Sequence, residues 1–431
     1  MENTDEPSGD DPMAKHKHVN THKTISQLEE DHGEKKSPEA LADEAFQKDD
    51  ETEFKTPEEV AQSEDIQEET DTPMKKKQGF FARLNHKNLT KKQKIILIAL
   101  FVVLLLGLLV GAWMWKNKKT PSSIMTAVQK EEPPKTSEPS KLTGREVALD
   151  VNKRQVTSVM IENSPDARPQ SGLKDAGIVF EAIAEGGVSR FVALYQDTEP
   201  DYIGPVRSAR PYYVEWILGF DAAYAHVGGS PDALALIKSQ GVKDLDQFAN
   251  PGSYERIKSR YAPHNVYTSS AKLNDLEKAK GFDTSNFSGF VRKKDAPSAT
   301  PTHKQINVTL SGFLYNPHWD YDQATNTYLR SQAGKPHTDE KSGQQLRANV
   351  VVVMVMKKGV MSDGHHTTYE TSGSGKAYFF QDGGSYEGTW TKKDAKSQIT
   401  FTDSAGNPMG MNPGMTWVTA VGGPENVSAG P

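Results

Sequence analysis

The chain has 431 residues, no cysteine and a formal net charge of −6, and a quarter of its residues are charged. The roughly 290 residues that follow residue 143 suit one large domain or two ordinary domains. The absence of cysteine argues against a secreted eukaryotic domain of this size, in which disulfide bonds are expected, and favours a bacterial envelope.

Charge is unevenly distributed along the chain. Residues 1–74 contain 23 acidic and 7 basic residues and few large apolar ones, which predicts a disordered acidic cytoplasmic tail. Such a tail argues against binding to nucleic acid, and it could instead dock a cytoplasmic partner. Residues 75–119 carry 11 basic residues and no acidic one. We interpret the basic segment 75–94 as a juxtamembrane contact with anionic lipid.

Residues 95–115 form a stretch of 21 residues without a charged side chain. A helix of this length crosses a hydrocarbon core of about 30 Å, and its distance from residue 1 argues against a cleavable signal peptide. Eight lysines and arginines lie within residues 75–94 before the stretch, and five lie within 116–135 after it. This excess predicts a single plasma-membrane span with the amino terminus in the cytoplasm.

Residues 116–143 are rich in lysine, proline, serine and threonine and predict a semi-extended linker. Beyond it we predict an α/β layered domain over 145–290 and a β-rich domain over 305–425, with a hinge at 293–303. The predicted fold class is therefore a membrane-anchored, two-domain α+β protein with both domains on the extracytoplasmic side.

The first outer domain alternates between strand and helix patterns, which is typical of α/β layers. Helices are predicted over 211–219 and 231–240, the second with Ser230 as its N-cap and Pro231 in its first turn. Strands are predicted over 155–161, 178–183, 191–196 and 221–227. In the second domain, strands are predicted over 310–315, 327–330, 349–356, 367–371, 375–381 and 385–392.

The segment GPVRSARPYY (204–213) places two arginines just ahead of a predicted helix start. Pro211 suits the first helical turn, and Arg210, which precedes a proline, is expected just outside the helix. Arg207 and Arg210 would then lie beside unpaired backbone N–H groups, where carboxylate, phosphate and sulfate bind. The equally open alternative is that both form internal ion pairs, with Glu181 or Glu185 as partners.

Further polar residues fall in loops at strand ends, where open α/β sheets bind ligands. The ligand-binding candidates are Arg168, Arg190, Arg207, Arg210, Arg260 and Asn265. The catalytic candidates are Glu181, Glu185, His226 and His264, and Asp166 and Asp221 are further acidic candidates. The alternative is a polar network that only holds the domain together.

The sequence shows no metal-binding motif of standard spacing. The pair His365-His366 falls in a predicted β loop with Asp363 and Glu370, and adjacent strand side chains point to opposite faces. Ser230 is not taken as a nucleophile, because its capping role already explains it. No cofactor is expected, except Mg²⁺ on oxygen ligands if the protein is an enzyme.

Long segments of the outer region resemble the YerB-like family. In the first domain they are ENSPDARPQSGL (162–173), EGGVSRFVALYQ (185–196), IGPVRSARPYY (203–213), DAAYAHVGGSP (221–231) and RYAPHNVYTS (260–269). In the second they are NPHWDYD (316–322), TYLRSQAGKPHTD (327–339), ANVVVVMV (348–355), GSGKAYFF (373–380), GTWTKKD (388–394) and NPGMTWVTAV (412–421).

The resemblance covers roughly residues 145–425 and implies an extracytoplasmic bacterial protein. Many members of the family are lipoproteins, and the family has no established reaction. This chain departs from those members because it has no cysteine to carry a lipid. We therefore expect the apolar span to replace the lipid anchor.

Two functions follow. The preferred one is a membrane-anchored envelope protein that binds an anionic cell-wall component or an envelope-assembly protein through an arginine-rich site. The alternative is an enzyme acting on a phosphate-linked envelope glycan or its lipid carrier, because the order of segments is similar to that of the LytR-CpsA-Psr glycopolymer transferases. No catalytic residue is carried over from them. Two neighbouring carboxylates would favour the enzyme, and arginines without them would favour the binder.

Overall fold

The structure is a computed structural model that describes residues 91–117 and 135–431. The predicted acidic tail, residues 75–90 of the basic segment and residues 118–134 of the predicted linker lie outside the described residues. Helix α1 (Lys91–Lys116) contains the whole predicted span. Within it, Ile98–Lys116 is long and apolar enough to cross a membrane, by length and composition.

Strands dominate residues 135–431. The helices there are α2 (Pro211–Leu218), α3 (Pro231–Gln240) and α4 (Ser270–Ala279). The strands before residue 290 are β1 (Ser137–Pro139), β2 (Glu146–Ala148), β3 (Thr157–Glu162), β4 (Ile178–Glu185), β5 (Val188–Tyr195), β6 (Ala223–Ala225), β7 (Lys243–Asp244), β8 (Glu255–Arg256) and β9 (Val266–Tyr267).

The strands after residue 300 are mostly antiparallel to their neighbours. They are β10 (Gln305–Val308), β11 (Pro317–Asp322), β12 (Thr327–Gln332), β13 (Lys335–Pro336), β14 (Arg347–Ala348), β15 (Val350–Val355), β16 (Lys358–Val360), β17 (Thr367–Tyr369), β18 (Gly373–Gln381), β19 (Gly384–Lys392), β20 (Thr400–Asp403), β21 (Thr416–Val421) and β22 (Val427–Gly430).

A ten-stranded mixed sheet runs in the order β20-β19-β18-β15-β21-β4-β5-β3-β6-β7. Strand β21 pairs in parallel with both β15 and β4, so strands from the two predicted domains lie side by side in one sheet. The apolar run of β15 suits this position, because a central strand buries side chains on both faces. A second sheet, β13-β12-β11-β10-β22 with β14 beside β12, comes wholly from residues after 300.

The two faces of the ten-stranded sheet bury different clusters. On one face α2 packs its apolar side chains, with Trp216 stacked on Phe180 at 5.3 Å between ring centroids. On the other face lies the second sheet, where Trp319 meets Trp417 edge-on at 5.3 Å. Helices therefore cover one side of the sheet, and mainly strands cover the other.

Most predicted elements of the first region are confirmed within a few residues. Both helices begin at the predicted prolines, and Arg210 is the N-cap residue of α2 with extended backbone. Ser230 takes the N-cap position of α3, but its hydroxyl makes no capping hydrogen bond, so the predicted capping role is wrong. Pro231, with its fixed φ, still starts the helix there.

Two predictions on connecting segments need correction. Residues 310–315 form turns, not a strand, because Asn316 Oδ1 accepts the backbone N–H groups of Leu310 and Ser311 at 2.8 and 3.1 Å. The end of the predicted linker belongs to the fold: β1 pairs with β2, and the apolar side chain of Leu142 is fully buried.

A buried ion pair joins the two sheets. Glu181 on β4 and Arg330 on β12 are both fully buried, and Arg330 Nη2 donates to Glu181 Oε1 at 2.8 Å. The second carboxylate oxygen accepts from Trp417 Nε1 at 2.9 Å. The guanidinium also lies over the rings of Trp417 and Trp319, at 4.8 and 5.7 Å from their centroids. Burial lowers the pKa of Arg330, and the charge of Glu181 opposes that shift.

The polar network continues from Arg330 towards the end of β3. Burial and the charges of Arg330 and Arg168 hold the pKa of His337 well below its usual value. Its neutral ring accepts from Arg330 at Nδ1 and donates from Nε2 to Gln170 Oε1 at 2.7 Å. Gln170 in turn donates to the backbone carbonyl of Glu162 at 2.8 Å. The polar network between the sheets thus reaches the backbone of Glu162, the last residue of β3.

We predict that Arg330→Ala lowers the free energy of unfolding by about 3–5 kcal/mol, because it leaves a buried carboxylate without its counter-charge. Unfolding of the full chain in detergent micelles by urea, followed by tryptophan fluorescence, measures this. Arg154→Ala is the matched control, since the Arg154 side chain is 42% exposed in its ion pairs, and we expect a change below about 1 kcal/mol. Equal effects of the two variants would contradict the structural role of the buried pair.

Candidate functional site

The carboxyl end of β3 and the β4–β5 hairpin bring several predicted residues together. Glu162, the last residue of β3, lies opposite Arg190 in the register of β3 and β5. The hairpin turns through Gly186 and Gly187, both with positive φ, which glycine adopts without steric cost. A register shift beside Glu185 then places its carboxylate on the same side as Arg190.

Glu185 binds two arginines. Arg190 contacts it through both terminal nitrogens, with Nη1 to Oε2 at 2.7 Å, and Arg210 Nη2 reaches Oε2 at 2.7 Å. Burial alone would raise the pKa of Glu185, but the charges of Arg190 and Arg210 lower it to about 2. Burial and the charge of Arg190 lower the pKa of Arg210 to about 10, against the opposing charge of Glu185.

Glu162 forms the second half of the cluster. Its Oε1 lies 3.5 Å from Arg207 Nε and 3.0 Å from His264 Nδ1. Burial opposes ionisation of Glu162, but the hydrogen bond from His264 and the charge of Arg207 lower its pKa. Its other oxygen, Oε2, is buried and has no hydrogen-bond partner among the described residues.

Ser164 beside this pair does not form a nucleophilic triad. Its hydroxyl donates to Glu162 Oε1 at 3.0 Å and lies 3.2 Å from His264 Nδ1. The carboxylate and the hydroxyl therefore meet the same ring nitrogen, whereas a triad uses both nitrogens of the histidine. His264 Nε2 instead faces Asp166 Oδ2 at 4.0 Å.

The cluster carries more positive than negative charge. Arg190, Arg207 and Arg210 oppose the two carboxylates Glu162 and Glu185, which leaves one positive charge. Arg207 is the most exposed of the three arginines, at 15% of its side chain. We name these five residues together with His264 the arginine cluster. The arginines ahead of α2 therefore form internal ion pairs, which was one of the two predicted alternatives. Arg210 pairs with Glu185, whereas Arg207 pairs with Glu162 and not with Glu181.

Two more predicted arginines lie beside the cluster. Arg168 donates to Asn163 Oδ1 at 3.0 Å and lies over the ring of Tyr315 at 5.2 Å. Arg260 donates to the carbonyl of Pro169 at 2.7 Å and pairs with Glu340 at 3.3 Å. Both hold the loop that follows β3 in place.

Other predicted residues do not join the cluster. Glu181 binds Arg330, as described above. The fully buried His226 ring contacts the carbonyl of Gly228 at 2.7 Å and Asp244 Oδ1 at 3.0 Å. Asn265 accepts from Arg256 at 3.2 Å, and Asp221 pairs with Lys243 at 2.9 Å. These four side chains serve internal contacts.

His366 Nδ1 lies 2.6 Å from Asp363 Oδ2 in the turn between β16 and β17. Across residues 91–117 and 135–431, no group of three or more His, Asp or Glu side chains is placed to hold a metal ion. This observation does not test the prediction that no cofactor is needed, except Mg²⁺ if the protein is an enzyme.

Sequence reasoning missed Glu162 as a site residue, and it missed Arg330 and His337 in the supporting network. Glu162 carries a detectable signal, because it is a carboxylate at the end of an apolar strand directly before a loop. Arg330 and His337 carry none, since their partners lie far away along the chain on β4 and in the loop after β3.

Comparison with known proteins adds to this geometry. The sequence matches the family described as "Protein of unknown function (DUF3048)", with its N-terminal domain over residues 142–283 and its C-terminal domain over 306–418. It is 30% identical over 305 residues to the Bacillus subtilis (strain 168) protein named "Putative lipoprotein YerB", covering 69% of this chain and 91% of that one. The chain belongs to the YerB-like (DUF3048) family.

A solved member of the YerB-like family has a similar fold. The crystal structure of YerB protein from Bacillus subtilis superimposes with a TM-score of 0.62 at 28% identity, covering 69% of this chain and 100% of that one. The match to the N-terminal domain contains the whole arginine cluster, and the match to the C-terminal domain contains Arg330. The cluster and its support therefore both lie within the segments that match the family.

The pKa of Glu185 predicts a specific acid sensitivity. A carboxyl group whose pKa is lowered from 4.5 to about 2 stabilises the fold above pH 4.5, and this contribution is lost as the pH falls towards 2. The shift corresponds to roughly 3 kcal/mol. We expect Glu185→Gln to be less stable than the parent at pH 7. Between pH 4.5 and 2, its free energy of unfolding should fall by less than that of the parent. Urea titrations at several pH values measure both slopes, and parallel slopes would contradict the assignment.

Proposed function

We propose that this protein is a membrane-anchored envelope protein whose folded region lies on the extracytoplasmic side. Helix α1 supports the anchor by its length and composition. The relative in Bacillus subtilis is named a lipoprotein, and this chain lacks the cysteine that a lipid anchor needs. The excess of basic residues before the apolar stretch favours an amino terminus in the cytoplasm.

We further propose that the arginine cluster binds an anionic cell-wall polymer. The observation that carries this proposal is the surplus positive charge at one end of the sheet, where Arg207 and His264 are partly exposed, at 15% and 21%. Guanidinium groups match phosphate and carboxylate groups in a two-pronged geometry. The internal carboxylates hold the arginines in place, so little further ordering is needed when an anion arrives. An envelope-assembly protein with an acidic surface is the other partner that this chemistry suits.

The enzyme alternative has one observation in its favour. Glu162 and Glu185 both lie beside Arg190, and Glu162 Oε2 is a buried acceptor without a partner among the described residues. Both pKa values are lowered, so neither group would hold a proton to donate at neutral pH. Catalysis would therefore need these oxygens as a base or as Mg²⁺ ligands. Release of product from a phosphate-linked glycan with Mg²⁺, lost in Glu162→Gln, would establish this alternative.

We predict that the double variant Arg207→Ala, Arg210→Ala stays folded but is retained at least about tenfold less on purified cell-wall polymer, because the surplus positive charge is lost. Glu185 keeps Arg190 and Glu162 keeps His264, which limits the damage to the fold. Co-sedimentation of the full chain in detergent with insoluble wall polymer measures retention, and circular dichroism measures folding.

Arg154→Ala is the control, because it removes one arginine at the opposite end of β3. Retention of the parent and of this control should fall together as salt is raised, since both bind through charge. If the double variant unfolds, the arginines serve the fold alone. If it folds and is retained normally, the polymer does not bind at the arginine cluster.

A further inference from the structure

A cleft of about 340 Å³ lies at the opposite end of β3 from the arginine cluster, and Thr157, Gln196 and Glu277 are among its lining residues. Thr157 begins β3 and Glu162 ends it, so the cleft and the cluster are roughly 17 Å apart at ~3.3 Å per residue. A cavity of this volume accommodates a small organic molecule. The cleft is therefore separate from the site proposed above.

The inner wall of the cleft contains a carboxyl group without a counter-ion. Glu277 on α4 is only 4% exposed, and its Oε1 accepts from Thr157 Oγ1 at 2.7 Å. No lysine, arginine or histidine of the described residues forms an ion pair with Glu277. The nearby Lys243 pairs with Asp221 instead, at 2.9 Å. The second oxygen of Glu277 is not among the enclosed polar atoms, so it faces the cleft.

Gln196 also lines this wall, but it offers no acceptor to the cleft. Gln196, just after β5, is 4% exposed, and its Nε2 donates to the carbonyl of Arg154 at 2.9 Å. Its Oε1 is buried and has no hydrogen-bond partner within residues 91–117 and 135–431. Because this oxygen is closed off from solvent, a molecule in the cleft does not reach it, and Glu277 is left as the acceptor of this wall.

We propose that this cleft binds a small molecule through a primary ammonium group, with Glu277 Oε2 as its acceptor. An ammonium group brings three donors and one positive charge. One donor satisfies the open oxygen of Glu277, and the charge compensates the buried carboxylate. A hydroxyl group would supply a donor but no charge, so it matches this wall less well.

The other charged residues around the cleft balance one another, so the preference for a cation comes from Glu277. At the rim, Arg154 and Lys278 balance Glu199 and Asp283. Burial raises the pKa of Glu277 to about 7, although the hydrogen bond from Thr157 and the charge of Lys243 oppose the shift. A bound cation favours the ionised carboxylate, so binding should release a proton near neutral pH. The charged or titratable neighbours of Glu277 are Lys243 and Tyr254 inside, and Arg154, Glu199, Lys278 and Asp283 at the rim.

Titration calorimetry of the full chain in detergent micelles with n-butylammonium tests the proposal, with n-butanol as the matched neutral probe. The amine stays protonated while Glu277 ionises, so we expect about tenfold tighter binding at pH 8 than at pH 6. Glu277→Gln keeps the size and the bond to Thr157, and it should bind at least about tenfold more weakly at pH 8 and lose the pH dependence.

Glu199→Gln is the control, because that carboxyl lies at the rim with 57% of its side chain exposed, and it should stay within about twofold of the parent. Equal binding of n-butanol and n-butylammonium, unchanged affinity in Glu277→Gln, or no binding of the amine to the folded parent would each overturn the proposal.

Discussion

The fold depends on an ion pair placed where water cannot reach it. Glu181 and Arg330 come from different sheets and from regions about 150 positions apart along the chain. Taking both charges out of water is costly, and the cost is offset only when geometry and hydrogen bonds are satisfied on both partners. Trp417 donates a further hydrogen bond to the carboxylate, and Gln332 and His337 accept hydrogen bonds from the guanidinium, whose Nε has no partner among the described residues. A misaligned packing of the two sheets would leave both charges unpaired, so the pair selects one arrangement.

This constraint reaches the arginine cluster through His337 and Gln170. Gln170 bonds to the backbone of Glu162, and Glu162 in turn positions Arg207 and His264. The cluster is therefore a supported arrangement of charges at a strand end. Its carboxylates reduce the attraction for an anion, but they also fix the guanidinium groups before a ligand arrives. The single surplus positive charge is what remains for the anion recognition that we propose.

The two ends of β3 present opposite chemistry. At the carboxyl end, arginines outnumber carboxylates, and the two carboxyl groups are held ionised. At the amino end, the buried Glu277 forms no ion pair with any described residue, and burial raises its pKa to about 7 against the charge of Lys243. The surroundings thus shift the pKa of glutamate in opposite directions at the two ends, which is why we propose ligands of opposite charge for the two sites.

Local patterns determined the elements of the first region. Pro211 and Pro231 marked the helix starts, and apolar runs such as 178–183 marked central strands. The turn at 310–315 escaped prediction because Asn316, which lies outside the run, binds its backbone. The arginines before α2 were visible in sequence, and so was the ambiguity between an open anion site and internal ion pairs.

The sequence by itself determined the apolar helix, the charge distribution, the family and the helix that follows Arg210. The tertiary structure alone decided that β15 and β21 complete the sheet of the first region. It also decided that Glu185 and Glu162 pair with the arginines, whereas Glu181 turns to Arg330. The physical reason is that helix starts and strands follow from neighbouring residues. The partner of a buried charge depends on which distant segment packs against it.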